Sequence, residues 1–179
     1  MKRVARLLAY LALIALLGLM IASFFLPREQ VDLPPPPPLV GQIDRIVIEK
    51  AARRMQLIQD DKVVRTYRIA LGFTPEGDKQ RQGDGKTPEG EFTIDRRNPK
   101  SAFHLSLGID YPQKSHRMRA AEAGVDPGGD IFIHGQPNAL PDGFKLRGDW
   151  TAGCIAVTNA EMREIWEVTP VGTKVEIRP

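Results

Sequence analysis

From residue 42 onward the apolar positions of this chain recur mostly every second residue, the period of a strand with one buried face. In AFHLSLGID, Phe103, Leu105, Leu107 and Ile109 fall on one side. In GEFTIDRR, Phe92 and Ile94 oppose Glu91, Thr93 and Asp95. QIDRIVIEK and RRMQLIQ are short runs of the same kind, and DKVVRTYRIALGF follows the turn signal Asp60-Asp61, which predicts a hairpin. DIFIHG is a short apolar run stopped by glycine, and TKVEIR predicts a last strand that closes the sheet. Helical spacing occurs twice. SHRMRAAEAG predicts about two turns ending at Gly124. TNAEMREIWEV combines a Thr158/Glu161 capping box with a Met162, Ile165 and Trp166 stripe, and Pro170 ends it. The pattern predicts a mixed, mainly antiparallel sheet or barrel with one or two short helices and no internal repeat.

The N-terminus is patterned differently. After Lys2, Arg3 and Arg6 the chain runs from Leu7 to Leu26 without a charge. About 20 residues at about 1.5 Å rise reach about 30 Å, the thickness of a bilayer's hydrocarbon core. This predicts a retained transmembrane anchor over a cleaved signal segment, whose small-x-small site is poorly matched here. Either way, the remainder is exported. Pro34 to Pro38 predict a stiff polyproline II spacer. The expected organisation is residues 1–26 as membrane anchor or signal, 27–40 as proline-rich linker and 41–179 as the folded domain.

Charge excludes one class of partner. Lys2, Arg3 and Arg6 account for the formal +3; without them the 25 basic side chains fall to 22, matched by 22 acidic ones. The basic balance belongs to the N-terminal segment, so nucleic acid is not an expected partner. The sequence GDGKT has Gln80 where a phosphate-binding loop needs glycine, and Pro88 follows, so it is read as a turn. No His or Cys stands at metal-ligand spacing from another.

Cys154 is the single cysteine, so it has no disulfide partner in its own chain. A buried small hydrophobe and an intermolecular bridge are both open readings, and the absence of C-x-x-C disfavours a redox role. His104 lies on a polar strand face and His116 in a basic, polar stretch, so both read as solvated or hydrogen-bonded. His134 ends an apolar run just before Gly135, where a side chain emerges from the sheet. An imidazole there, brought to Cys154, would take the thiol proton and release a nucleophilic thiolate.

The ordered set IFIHGQ then DWTAGCIAV, with GDGKTPEGEFTI and LSLGIDYP upstream, resembles the L,D-transpeptidase catalytic domain, also called the YkuD domain. It is closest to the YafK-like and ErfK-like branches. Thr151, Gly153, Cys154 and Ile155 match the family's Ser/Thr-x-Gly-Cys-apolar segment, and the resemblance runs over residues 42 to 179. It implies a β-barrel-like or sandwich fold with one or two short helices, beside the N-terminal transmembrane helix. It also implies Cys154 as nucleophile, His134 as general base and acid, the Gly135 carbonyl as orienter, and Gly153 and Cys154 as oxyanion-hole donors. No metal or organic cofactor is implied. The implied substrates are peptidoglycan stem peptides, with a neighbouring stem or a lipoprotein as acceptor, at the periplasmic face of the bacterial inner membrane or free in the periplasm. One position departs from the pattern: many members carry Arg or Asn where this chain has Ala156. Arg147 is the replacement candidate for holding a substrate carboxylate, with Thr151, Trp150 and Tyr111 as further pocket candidates. The YafK-like likeness leaves water open as acceptor, giving an amidase or L,D-carboxypeptidase. A non-catalytic wall-binding module is the alternative from another class.

Overall fold

In the computed structural model, which describes residues 6, 10–18, 20, 37–141 and 143–179, eight strands build one curled sheet. In chain order the elements are β1 (Arg45–Glu49), β2 (Arg54–Gln59), β3 (Lys62–Arg68), β4 (Gly90–Ser101), β5 (His104–Ile109), α1 (Lys114–Glu122), β6 (Phe132–His134), β7 (Ile155–Ala156), α2 (Asn159–Val168) and β8 (Lys174–Arg178). The strand order is β3-β2-β1-β8-β4-β5-β6-β7. Only β1–β8 and β6–β7 are parallel; the other pairings are antiparallel.

The hairpin turn at Asp60-Asp61 has both residues at positive φ, 50° and 56°. That is the left-handed geometry of a two-residue type I′ turn, which aspartate tolerates. TKVEIR was expected to close the sheet, and it does not. β8 lies in the middle, parallel to β1 and antiparallel to β4, with Val175 and Ile177 buried. The expected mainly β architecture takes the form of a single curled sheet. Just beyond β3, Ala70 bridges Ala156 of β7 and Gly72 bridges Thr151, which brings the two ends of the strand order together.

Inside the curl, Ile46, Leu57, Phe92, Ile94, Leu107 and Ile133 are fully or almost fully buried. Helix α2 adds Met162 and Ile165 to this core. Its start is fixed as predicted: the Thr158 hydroxyl accepts from the Glu161 amide, and the Glu161 carboxylate accepts from the Thr158 amide at 2.8 Å. Trp166 is only half-buried, under the Arg97 guanidinium at 4.0 Å.

The membrane-spanning helix expected over Leu7–Leu26 is overturned. Among the described residues no helix is long and apolar enough to cross a membrane. Residues 7–9, 19 and 21–26, and Pro34–Pro36 of the expected spacer, lie outside the described residues. Met1–Pro37 and Pro38–Pro179 are separate compact units.

Candidate active site

The parallel register of β6 and β7 pairs Ile133 with Ile155 and His134 with Ala156. Strand alternation then divides these residues by face. Ile133 and Ile155 point into the core with no exposure. On the opposite face stand Phe132 and His134 of β6, with Cys154 and Ala156 on the neighbouring segment. Ser106 of β5 pairs with His134 and shares that face. A cavity of about 470 Å³ opens there, walled by Cys154, His134, Ser106, Phe103, Trp150 and Thr151 among others.

The turn that presents Cys154 is held from within. The Thr151 hydroxyl donates to the Cys154 carbonyl at 2.7 Å and accepts from the Gly153 amide at 3.2 Å. Thr151 is also bound through its backbone to Leu71 and Phe73. Gly153 has φ +138°, and a Cβ there would lie 2.7 Å from the Lys86 carbonyl and 3.1 Å from Ile131. Only glycine fits.

The segment read from sequence as GDGKTPEG lies directly behind this turn. Thr87 is fully buried and its hydroxyl accepts from the Gly72 amide at 3.1 Å. Buried Lys79 pairs with Asp84 at 2.8 Å. Burial alone would raise the Asp84 carboxyl, but Lys79 and the amides of Arg81, Gln80 and Lys86 outweigh it and hold it at about 2.

His134 is buried, and its Nδ1 lies 2.7 Å from the Gly135 carbonyl. A carbonyl only accepts, so Nδ1 carries the proton and Nε2 keeps its lone pair. Gly135 itself is confined: a Cβ would meet Asn159 Oδ1 at 2.5 Å and His104 Cβ at 3.0 Å. Asn159 Oδ1 accepts from the Gln136 amide at 2.7 Å. The buried Gln136 side chain donates to the Val157 carbonyl at 2.6 Å and accepts from the Leu146 amide at 2.9 Å. Phe103 and Trp150 flank the imidazole, with centroids at 4.6 Å and 5.7 Å.

Burial pushes the Cys154 thiol up, opposed by the Phe132 amide and Lys79 and assisted by the Asp130 charge. Burial pushes His134 down against the contact with Gly135. Both groups therefore rest neutral. Cys154 Sγ donates to the Asp130 carbonyl at 3.4 Å and accepts from the Phe132 amide at 3.4 Å. Among the described residues no hydrogen bond joins thiol and imidazole. The two share a cavity wall without being ion-paired at rest.

The structure brings Cys154, His134, Thr151 and Trp150 to this cavity and leaves two expected residues elsewhere. Arg147 is exposed and off the cavity wall. Tyr111 is buried away from it, donating to the Pro127 carbonyl at 2.9 Å, with its hydroxyl pushed up by burial to about 12. Thr151 is engaged in the turn itself. Of the two expected oxyanion donors, the Gly153 amide is already bound to Thr151, whereas the Cys154 amide has no acceptor among the described residues. His116 is not solvated: it is buried between Phe92 and Tyr111, and its Nδ1 accepts from the Gln113 amide. His104 lies beside Arg163 at 3.4 Å. Sequence reading missed Gln136, Asn159, Ser106 and Asp130. Ser106 and Asp130 carried weak local signals, a polar residue inside an apolar strand and one just before β6.

A family model described as the L,D-transpeptidase catalytic domain, YkuD, matches residues 43–177. The chain belongs to the YkuD family. Among curated proteins, this YkuD domain is 29% identical over 140 residues to YkuD of Bacillus licheniformis, covering 75% of this chain and 66% of that one. It is 28% identical over 135 residues to YafK of Escherichia coli K12, covering 72% and 48%. The chain spans about half to two thirds of the length of these relatives. Among solved structures, the helical cell shape determining protein Pgp2 of Campylobacter jejuni superposes with a TM-score of 0.58 at 26% identity, covering 76% of this chain and 48% of Pgp2.

Proposed function

We propose that this YkuD domain transfers an acyl group from a peptidoglycan stem peptide through a thioester on Cys154, in the periplasm or cell wall. One observation carries the reading. Cys154 and a His134 whose tautomer leaves Nε2 free to accept line the same cavity.

The chemistry follows from the resting state. Nε2 of His134 takes the thiol proton as sulfur attacks the carbonyl between the third-position diamino acid and the terminal D-alanine. The Cys154 amide is the open donor for the oxygen that gains charge. The C–N bond breaks, D-alanine leaves as an amine carrying the proton from His134, and a thioester remains. An amine of a neighbouring stem then attacks; His134 takes its proton and returns one to sulfur as the new amide forms. Water in place of the amine yields the free tripeptide. No feature among the described residues supports a lipoprotein amine as acceptor.

Incubating the protein with a defined tetrapeptide muropeptide tests this. A cross-linked dimer is the expected product; tripeptide alone reassigns the acceptor to water. Untouched substrate from a folded protein, with no carbapenem adduct on Cys154 by mass spectrometry, overturns the enzyme reading in favour of a wall-binding module.

A further inference from the structure

Asp130 is the only formally charged side chain on the cavity wall among the described residues. The other polar wall groups, Asn98, Ser101, Ser106 and Thr151, are uncharged, and His134 is held neutral by burial. Ala156 adds no cation on this face, and Arg147 stands away from it. A nearby cation is Arg96, whose guanidinium lies 4.5 Å over the Phe132 ring and 3.0 Å from Asp130. Arg96 also holds Asp95 at 2.8 Å, so one cation is shared between two carboxylates. The Asp130 side chain is 88% exposed. A pair this open contributes little, so the carboxylate is free to meet a ligand. Its position is nonetheless fixed, because the Asp130 backbone is left-handed at φ 54° and its carbonyl accepts from the Cys154 thiol.

We propose that Asp130 is a specificity-determining residue that selects substrates carrying a primary ammonium next to the bond that Cys154 attacks. The inference rests on Cys154 as the nucleophile of the proposed reaction. In stem peptides such an ammonium has two sources, the unacylated side-chain amine of the donor's diamino acid and the amine of the incoming acceptor. If it belongs to the donor, the enzyme takes stems not yet cross-linked through that amine.

The test begins with the thiol alone. The full-length protein is treated with methanethiosulfonates bearing either an ammonium or a sulfonate, and rates are normalised to free cysteine. The ammonium reagent is expected to be favoured about tenfold, the size of a unit-charge interaction across a partly screened cavity mouth, and the ratio shrinks with added salt. Asp130→Asn, which tolerates the same left-handed backbone, brings the ratio close to one, whereas Arg96→Met raises it. Donor tetrapeptides with a free or acetylated side-chain amine, hydrolysed without acceptor, then locate the ammonium. Loss on acetylation assigns it to the donor; equal hydrolysis of both donors, with Asp130→Asn raising the acceptor's KM in transfer, assigns it to the acceptor. Equal reagent ratios in wild type and Asp130→Asn overturn the inference, whether or not peptides are turned over. A charge-selective thiol with no peptide turnover instead overturns the proposed reaction and leaves the ammonium preference standing.

Discussion

Two connecting segments converge on the Cys154 turn, and they are built differently. Residues 69–89 pass behind it with Ile69, Leu71, Lys79 and Thr87 buried, and with Lys79–Asp84 pinned together inside. Residues 136–150 reach it from the other side with Phe144, Lys145 and Arg147 exposed. This second segment is tied mainly near its ends. Gln136 binds Leu146, while Asp149 accepts from the Leu71 amide and pairs with Arg53 at 2.9 Å. The difference teaches that one face of the turn is a buried support and the other a more exposed wall. Stability and reactivity should respond separately to damage on the two sides.

The largest effect falls on the centre both segments share. Cys154→Ala is expected to remove at least about 10³-fold of peptide turnover while leaving the unfolding midpoint nearly unchanged; a stability loss instead would mark the thiol as packing. Next comes the support. Lys79→Met leaves the Asp84 carboxylate with its backbone amides but without its cation, and is expected to cost about 3 kcal/mol in urea unfolding. The wall responds more weakly: Gln136→Leu leaves the Val157 carbonyl and Leu146 amide unpaired, for about 1–3 kcal/mol. Its cost should show more in kcat than in KM, since Gln136 adjoins the Gly135 carbonyl that sets the His134 tautomer.

The pH dependence of stability separates the same regions. Asp84 is depressed from 3.8 to about 2, so its contribution is complete above pH 4 and is lost as pH falls towards 2. His134 and His116 are depressed below 6.5 by burial, so their contributions are complete above that value and fade on acidification below it. Thermal melts from pH 8 to 2 should show two steps, and Asp84→Asn should remove the lower one. The smallest effect is expected at the exposed middle of the wall, where Arg147→Ala changes kcat/KM less than about twofold. A tenfold loss would return Arg147 to the substrate.

Short-range pattern revealed most strands and both helices of the domain, because each is governed by alternation or capping within a few residues. Cys154 was singled out as the single cysteine within the motif that carries the family resemblance, and His134 as the polar end of an apolar run. The central place of β8 was not legible, since TKVEIR reads alike at an edge or in the middle of a sheet. Strand β7 was missed because two residues carry no period. Gln136 and Asn159 act through contacts with each other and with Val157, remote in sequence, and no local signal marks them. The N-terminal reading differs: it rested on composition over Leu7–Leu26, and among the described residues no helix is long and apolar enough to cross a membrane.

The central position of β8 also governs how the molecule comes to exist. Arg45 pairs with Lys174 and Gly90 with Ile177, so β1 and β4 are joined through a ribbon late in sequence. Contacts of such long range make folding slow and cooperative. The last strand to be made therefore completes the sheet at its centre and not at its rim.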